Sequence, residues 1–347
     1  MDKTYFEITR QYKMLDKTIK YVESQKEVLR NFYLNKKPKS IVFIGSGSSY
    51  YLSQSAEIIA RTQFGFNSFS ITAGDAMVNF KSNKKAFEGS LVVAISRSGD
   101  TTEILKTVTV MMTELGIPAV GITCVEDSQL SKIADLCLMM PWTFDESVCQ
   151  TGTVTNLYAA TALLLAGFAG NNSVYDDIKK MTAVGDNFIS ENVSAFKDIA
   201  NKRWDKVVVL ADGEISGLAC EGALAFKEIC CTISNYYHVL DVRHGPMVLI
   251  DKNTLVIADL KPDNKEYQLD LIADVAKKGA TIVVSTDDSY ETIKNIDLHV
   301  KHPNVGNIAE GLPFINVAQL IAYQRAILKG IDPGNPEGLD AWINLEK

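Results

Sequence analysis

Long apolar runs are missing from this chain. The longest, TALLLAGFAG from Thr161, is shorter than the roughly 20 residues a bilayer span takes, so no membrane partner is expected. A basic surplus is missing too. Lys and Arg number 35 against 42 Asp and Glu, a formal charge of −7, and a nucleic-acid partner, which would need clustered cations, is not expected. The six cysteines form no CxxC pair, Cys230 and Cys231 being merely adjacent, and reduced thiols in a cytoplasm are the expectation. The opening MDKTYFEITRQYKMLDKTIKYV is charged and helical in period, unlike a secretory leader. Only four histidines occur. His238, His299 and His302 make no HxxxH or HExxH pattern, so no metal and no other cofactor is expected. His299 and His302 read as surface residues at the end of a strand, and Trp142 and Trp342 as core or tail packing rather than pocket lining.

What the chain does have is an alternation of short apolar runs with amphipathic stretches, the pattern of a parallel α/β protein. SIVFIG (40–45), SLVVAIS (90–96), PAVGITC (118–124) and ADLCLMM (134–140) read as strands, and then the order restarts. DKVVVLADG (205–213), NTLVIADL (253–260) and ATIVVST (280–286) answer the first set. Leu91 and Leu255 are 164 residues apart and Val42 and Val207 are 165 apart. Such close offsets at two strands indicate a duplicated unit, with one large α/β domain as the alternative. The expected fold is two tandem, doubly wound, flavodoxin-like three-layer α/β/α units with parallel sheets. The boundaries expected are a helical arm over 1–34, a first unit over 35–170, a helical linker over 171–204, a second unit over 205–330 and a tail over 331–347.

Two turns of the first unit are small and hydroxyl-rich: GSGSSY (45–50) and SRSGDTTE (96–103). Ligands of doubly wound sheets bind where strands end and helices begin. A helix start offers free N–H groups and partial positive charge, and serine and threonine add neutral donors. Together the turns can hold a phosphate monoester; each alone is also what an ordinary helix cap looks like. Neither carries the third glycine of a dinucleotide fingerprint or the lysine of a nucleotide P-loop. Arg97 either touches the phosphate or is a solvated turn residue. The second unit's counterpart, LKPDNKE from Leu260, has lost the hydroxyls.

In the second unit EGALAFKE (221–228) places Glu228 two helical turns after Glu221, and sixteen residues later RHGP presents His244 on a bend. Glutamate on a helix is commonly a solvated residue, and histidine before Gly-Pro a turn residue. As a pair they also suit proton transfer between adjacent carbons and the opening of a sugar ring.

From about Ile41 to Gly330 the chain resembles the double SIS (sugar isomerase) family. It is similar to the isomerase half of glucosamine-6-phosphate synthase, and closer to the stand-alone ketosamine-6-phosphate deglycases and amino-sugar-phosphate deaminase/isomerases. The resemblance implies that Gly47, Ser48 and Ser49 form one phosphate turn, and that Ser96, Ser98 and Thr101 bind phosphate from the other. It implies a sugar-contacting place for Thr151 in DESVCQTGTVTN, a proton-shuttling role for Glu228, and a ring-opening role for His244, donated across a homodimer. Departures are equally informative. Where the synthase has a lysine three residues before the glutamate, this chain has Ala225; its end, NPEGLDAWINLEK, differs from the synthase's lysine-containing tail. A chain opening Met1-Asp2-Lys3 is not expected to carry the synthase's glutaminase domain. The implied function is a phosphosugar isomerase-type enzyme acting on an amino-substituted hexose 6-phosphate with amine release. Plain aldose–ketose isomerisation and a non-catalytic sugar-phosphate sensor are the alternatives.

Overall fold

The computed structural model describes residues 2–339 and 345; the expectation for Trp342 lies outside the described residues. The chain divides into two compact units, residues 10–146 with 150–179, and residues 180–339 with 2–9 and 147–149. The opening helices divide between these units. Helix α1 (Lys3–Thr9) belongs to the second unit, where Tyr5 meets Tyr323 at 5.2 Å. Helices α2 (Gln11–Ser24) and α3 (Lys26–Lys36) belong to the first.

The first unit is a five-stranded parallel sheet in the order β2-β1-β3-β4-β5. Its strands are β1 (Ser40–Gly45), β2 (Ser68–Thr72), β3 (Ser90–Ser96), β4 (Ala119–Thr123) and β5 (Leu136–Met139). Its further helices are α4 (Ser48–Phe64), α5 (Ala73–Val78), α6 (Phe80–Phe87), α7 (Thr102–Leu115), α8 (Gln129–Ile133) and α9 (Gly152–Ala169). The central strands are unbroken apolar runs because both faces are covered. On one face Val42, Ile44, Val92 and Ala94 pack with Ile104, Val108 and Met111 of α7. Helix α9 is apolar all round, so it must be enclosed. It is long and apolar enough to cross a membrane by composition, longer than the sequence run suggested, and 94% of it is buried in the fold. Polar seams fix α2 against it: Thr18 Oγ1 donates to Asn156 Oδ1 at 2.7 Å, and Trp142 Nε1 donates to Thr18 Oγ1 at 3.1 Å.

The helix α10 (Ser173–Asn201) follows. The second unit has β6 (Lys206–Leu210), β7 (Ile233–Tyr237), β8 (Thr254–Asp259), β9 (Thr281–Asp287) and β10 (Leu298–His302), all parallel, in the order β10-β9-β8-β6-β7. Counted from the other edge, this is the strand order of the first sheet. Its remaining helices are α11 (Ser216–Cys230), α12 (Lys265–Lys277), α13 (Gly306–Ala309) and α14 (Gly311–Lys329). Val256, Ala258, Ile282 and Val284 pack with Leu271, Ile272 and Val275 of α12. Burying one such side chain contributes about 1.5–3 kcal/mol. The surface expectation for the last histidines fails for His302, which is 2% exposed because it ends β10 inside the layer. His299 is half-buried, with Nε2 2.9 Å from Thr286 Oγ1.

Candidate active site

In the first unit β1 and β3 lie side by side, with Ile44 level with Ala94, so the two hydroxyl-rich turns leave the sheet at neighbouring points. The chain leaves β1 through Gly47 at φ +55°, ψ −129°, a conformation that favours glycine. A Cβ there would meet nothing within 4 Å, whereas one on Gly45 would lie 2.4 Å from the Ser49 carbonyl carbon. Gly45 thus lets α4 start close against the strand, and Gly47 keeps the mouth of the turn open. Ser48 and Ser49 follow, buried at 5% and 4% exposure. The cap residue Gly47 has no side chain to cap α4; the Ser49 N–H turns back to the Ser46 carbonyl at 3.2 Å and the Tyr50 N–H to the Gly47 carbonyl at 2.9 Å, so the serine hydroxyls are the donors this turn offers.

The second turn is tighter. Ser96 Oγ accepts from the Gly99 N–H at 3.0 Å and lies 3.4 Å from Thr101 Oγ1. Ser98 Oγ accepts from the Asp100 N–H at 3.2 Å. Thr101 stands at the cap position of α7, its hydroxyl not spent on capping the helix. The solvated alternative for Arg97 does not hold. It is 5% exposed, its Nη1 donates to the Asp145 carbonyl at 3.5 Å, and its guanidinium lies 5.6 Å from the Phe144 ring centre.

Asp145 is the residue that sequence reasoning passed over. Its Oδ2 accepts from the Thr151 and Thr153 N–H groups, each at 2.8 Å, and from Thr151 Oγ1 at 3.4 Å. It is 1% exposed and caps α9 from a place upstream of the cap position, where DES reads as a charged loop. Thr151 is fully buried at the start of α9, its hydroxyl turned to Asp145. Arg97, Asp145 and Thr151 therefore form one connected chain from the second turn to the start of α9.

In the second unit Glu228 lies half-buried on the last turn of α11. Burial lowers the pKa of neighbouring Lys227, with Cys220 and Glu228 opposing the shift. Ala225 is 3% exposed, packed inward. A second residue that sequence reasoning missed, Lys329, holds the end of this helix: its Nζ donates to the Cys230 carbonyl at 2.8 Å and to Thr232 Oγ1 at 2.7 Å. His244 sits between β7 and β8 in a different setting. It is exposed and its imidazole makes no hydrogen bond among the described residues, while its backbone N–H donates to the Asp241 carbonyl at 2.8 Å. Gly245 follows at φ +122°, and Arg243 Nη2 donates to Asp274 Oδ2 at 2.7 Å. Leu240, Val248 and Leu249, near it in sequence, are 40%, 81% and 54% exposed, apolar side chains in the same exposed segment. Among the described residues no three His, Cys, Asp or Glu side chains are grouped as a metal ion would require.

The model of the SIS domain matches this chain twice, over residues 34–167 and 200–329. The chain belongs to the SIS domain family. A glutamine–fructose-6-phosphate aminotransferase (isomerizing) from Sulfurisphaera tokodaii is 27% identical over 322 residues, which cover 90% of this chain and 51% of that protein. The corresponding protein of Salmonella typhimurium is 28% identical over 281 residues, covering 77% of this chain and 46% of the relative. The chain thus spans about half the length of the curated relatives it matches. Among solved structures, a tagatose-6-phosphate ketose/aldose isomerase from Escherichia coli superposes with a TM-score of 0.84 at 20% identity, over 99% of this chain and 96% of that one. A glucosamine-6-phosphate deaminase from Thermotoga maritima superposes with a TM-score of 0.75 at 26% identity, over 95% and 100%. Both SIS units of the present chain therefore carry the family fold, one with hydroxyl-rich turns and one with the glutamate and histidine.

Proposed function

We propose that this SIS protein converts an amino-substituted hexose 6-phosphate, and that its end products are a hexose 6-phosphate and a free amine. The observation that carries the reading is the pair of helix starts, α4 and α7, lined with serine and threonine hydroxyls at adjacent strand ends. Such a cradle suits a phosphate monoester. Gly47, Ser48, Ser49, Ser96, Ser98 and Thr101 supply neutral donors, and buried Arg97 supplies positive charge from behind the second turn. Thr151, fully buried and bonded to Asp145, keeps the start of α9 in place.

Glu228 then removes the proton next to the imine or carbonyl carbon of the open-chain sugar and returns it to the neighbouring carbon, through an enediol or enolamine. Helix-end N–H groups stabilise the charge that develops, a type of interaction typically worth about 3 kcal/mol per donor. Attack of water on the imine carbon forms a C–O bond and the C–N bond then breaks, releasing the amine. His244 assists ring opening from a second copy of the chain; its unbonded imidazole and the exposed apolar side chains of its segment suit donation into a partner. The inward-packed Ala225, where the synthase has lysine, supports degradation over glutamine-driven synthesis.

The test is incubation of the protein with fructosamine 6-phosphates of several amines and with glucosamine 6-phosphate, products followed by mass spectrometry and a Glu228→Gln control run alongside. Free amine and hexose 6-phosphate, absent with the variant, are the expected result. Interconversion with the amine retained would replace this reading with plain isomerisation. Binding without turnover across the panel would replace it with a sensor.

A further inference from the structure

The second sheet repeats the geometry of the first with different chemistry at its carboxyl edge, and strand register fixes the correspondence. In the first sheet Ile95 is level with Ile122, and Ile122 with Leu138, two residues before Met140. In the second, Asp259 is level with Ser285, and Ser285 with Val300, two residues before His302. A buried layer of Ile95, Ile122 and Met140 is therefore answered by Asp259, Ser285 and His302, exposed at 1%, 0% and 2%. Residues level with one another in parallel strands share a face, as do residues two apart, so all three point to one side. Helix α14 covers that side: Val209, level with Ile257, lies with Ala318 and Ile315 around Gly222.

These polar groups do not satisfy one another. Both Asp259 oxygens, Ser285 Oγ and His302 Nε2 have no hydrogen-bond partner among the described residues. Lys261 Nζ is 3.6 Å from Asp259 Oδ2 but 2.8 Å from Glu310 Oε2, so its hydrogen bond goes to Glu310 and one carboxylate is left in excess. His302 Nδ1 lies 3.1 Å from the Pro303 carbonyl. A carbonyl only accepts, so Nδ1 carries a proton and donates to it, and Nε2 is the ring atom left to meet a ligand. Buried acceptors left in this state are costly, and the apolar layer of the first unit avoids that cost.

We propose that this layer is a binding site for an ammonium ion or a small primary alkylammonium, its N–H groups donated to Asp259, His302 Nε2 and Ser285 Oγ. The missing partner must donate several hydrogen bonds and carry positive charge. Water lacks the charge, and a lone proton serves one acceptor. Sodium and potassium prefer oxygen and gain little from an imidazole nitrogen. Burial raises the Asp259 pKa to about 6, with Lys261 opposing, so the carboxylate is largely ionised at pH 7.5 and offers its charge to a cation.

The test is thermal unfolding of the desalted full chain at pH 7.5, with ammonium, methylammonium, potassium or tetramethylammonium chloride at equal concentration. Ammonium is expected to raise the midpoint by about 2 °C or more above potassium, with methylammonium separating the simple ion from its alkyl form, and Asp259→Asn should abolish the difference. Because that change alters stability by itself, a second variant installs the first unit's own layer: Asp259→Ile with Ser285→Ile and His302→Met. It should be blind to ammonium. No ammonium-specific shift, equal shifts from all four salts, or a shift that survives either variant would overturn the proposal. The readout needs no turnover, so it stands apart from the proposed reaction.

Discussion

Glu228 differs from glutamine by a single proton-accepting oxygen, which makes Glu228→Gln the sharpest probe of the chemistry. Turnover should fall by about 10²–10⁴-fold, the usual contribution of a positioned acid–base group, while phosphosugar binding by the first unit persists in calorimetry. At Asp259 the prediction concerns stability. Desolvation lifts its pKa to about 6, about two units above an ordinary aspartate, so the folded chain holds more protons than the unfolded one between about pH 4 and 6. Stability contributed by this group is present at low pH and lost as pH rises through that window, a swing of about 3 kcal/mol. Denaturant titrations from pH 4 to 7.5 should show that slope, and Asp259→Asn should remove it. Single residues were unevenly legible. The serines, Glu228 and His244 stand out because their types and spacing carry chemistry. Asp145 and His302 do not, because their roles come from burial, and nothing local in the sequence marks a charged or ring side chain as enclosed.

Among the elements, α9 depends most on one distant group. Its opening N–H groups bond to Asp145 rather than to a residue at the cap position. Asp145→Ala should cost about 2–3 kcal/mol, the range for buried charge-assisted bonds, read as a lower midpoint in urea. It should also weaken phosphosugar binding, since without its bonds to α9 the Asp145 backbone is free to shift and carry with it the carbonyl that Arg97 bonds. The central strands were legible from their apolar runs. The edge strands β2 and β7 were not. SFSIT is only half-buried, and ISNYY alternates between exposed and covered positions, so neither makes a continuous run and each depends on its one neighbouring strand for definition.

For the whole molecule, the reading of His244 as a residue donated to a second copy gives a subunit-mixing prediction. Glu228→Gln and His244→Ala chains, each inactive alone, should regain about a quarter of wild-type activity when co-refolded, because half the dimers are mixed and each has one intact site. Failure to recover activity would place His244 in its own chain's chemistry. The duplication was legible at this scale because both units keep the same strand order and nearly constant offsets. The difference between their buried layers was hidden, since it appears only once register aligns Asp259 with Ile95.

That difference bears on how a nascent chain sorts its own strands. Tandem copies of one fold invite misassembly, a strand from one copy taking the vacant seat of its twin. Were β8 to take the place of β3, Asp259 would be set beside Ile122, among hydrocarbon and away from the polar Ser285 and His302 of its own layer, where a buried carboxyl costs several kcal/mol more. The reverse swap would bring Ile95 beside Ser285 and leave a hole in the polar set. The two halves are thus made poor substitutes for each other, and each strand is steered back to its own sheet while the chain is still being synthesised.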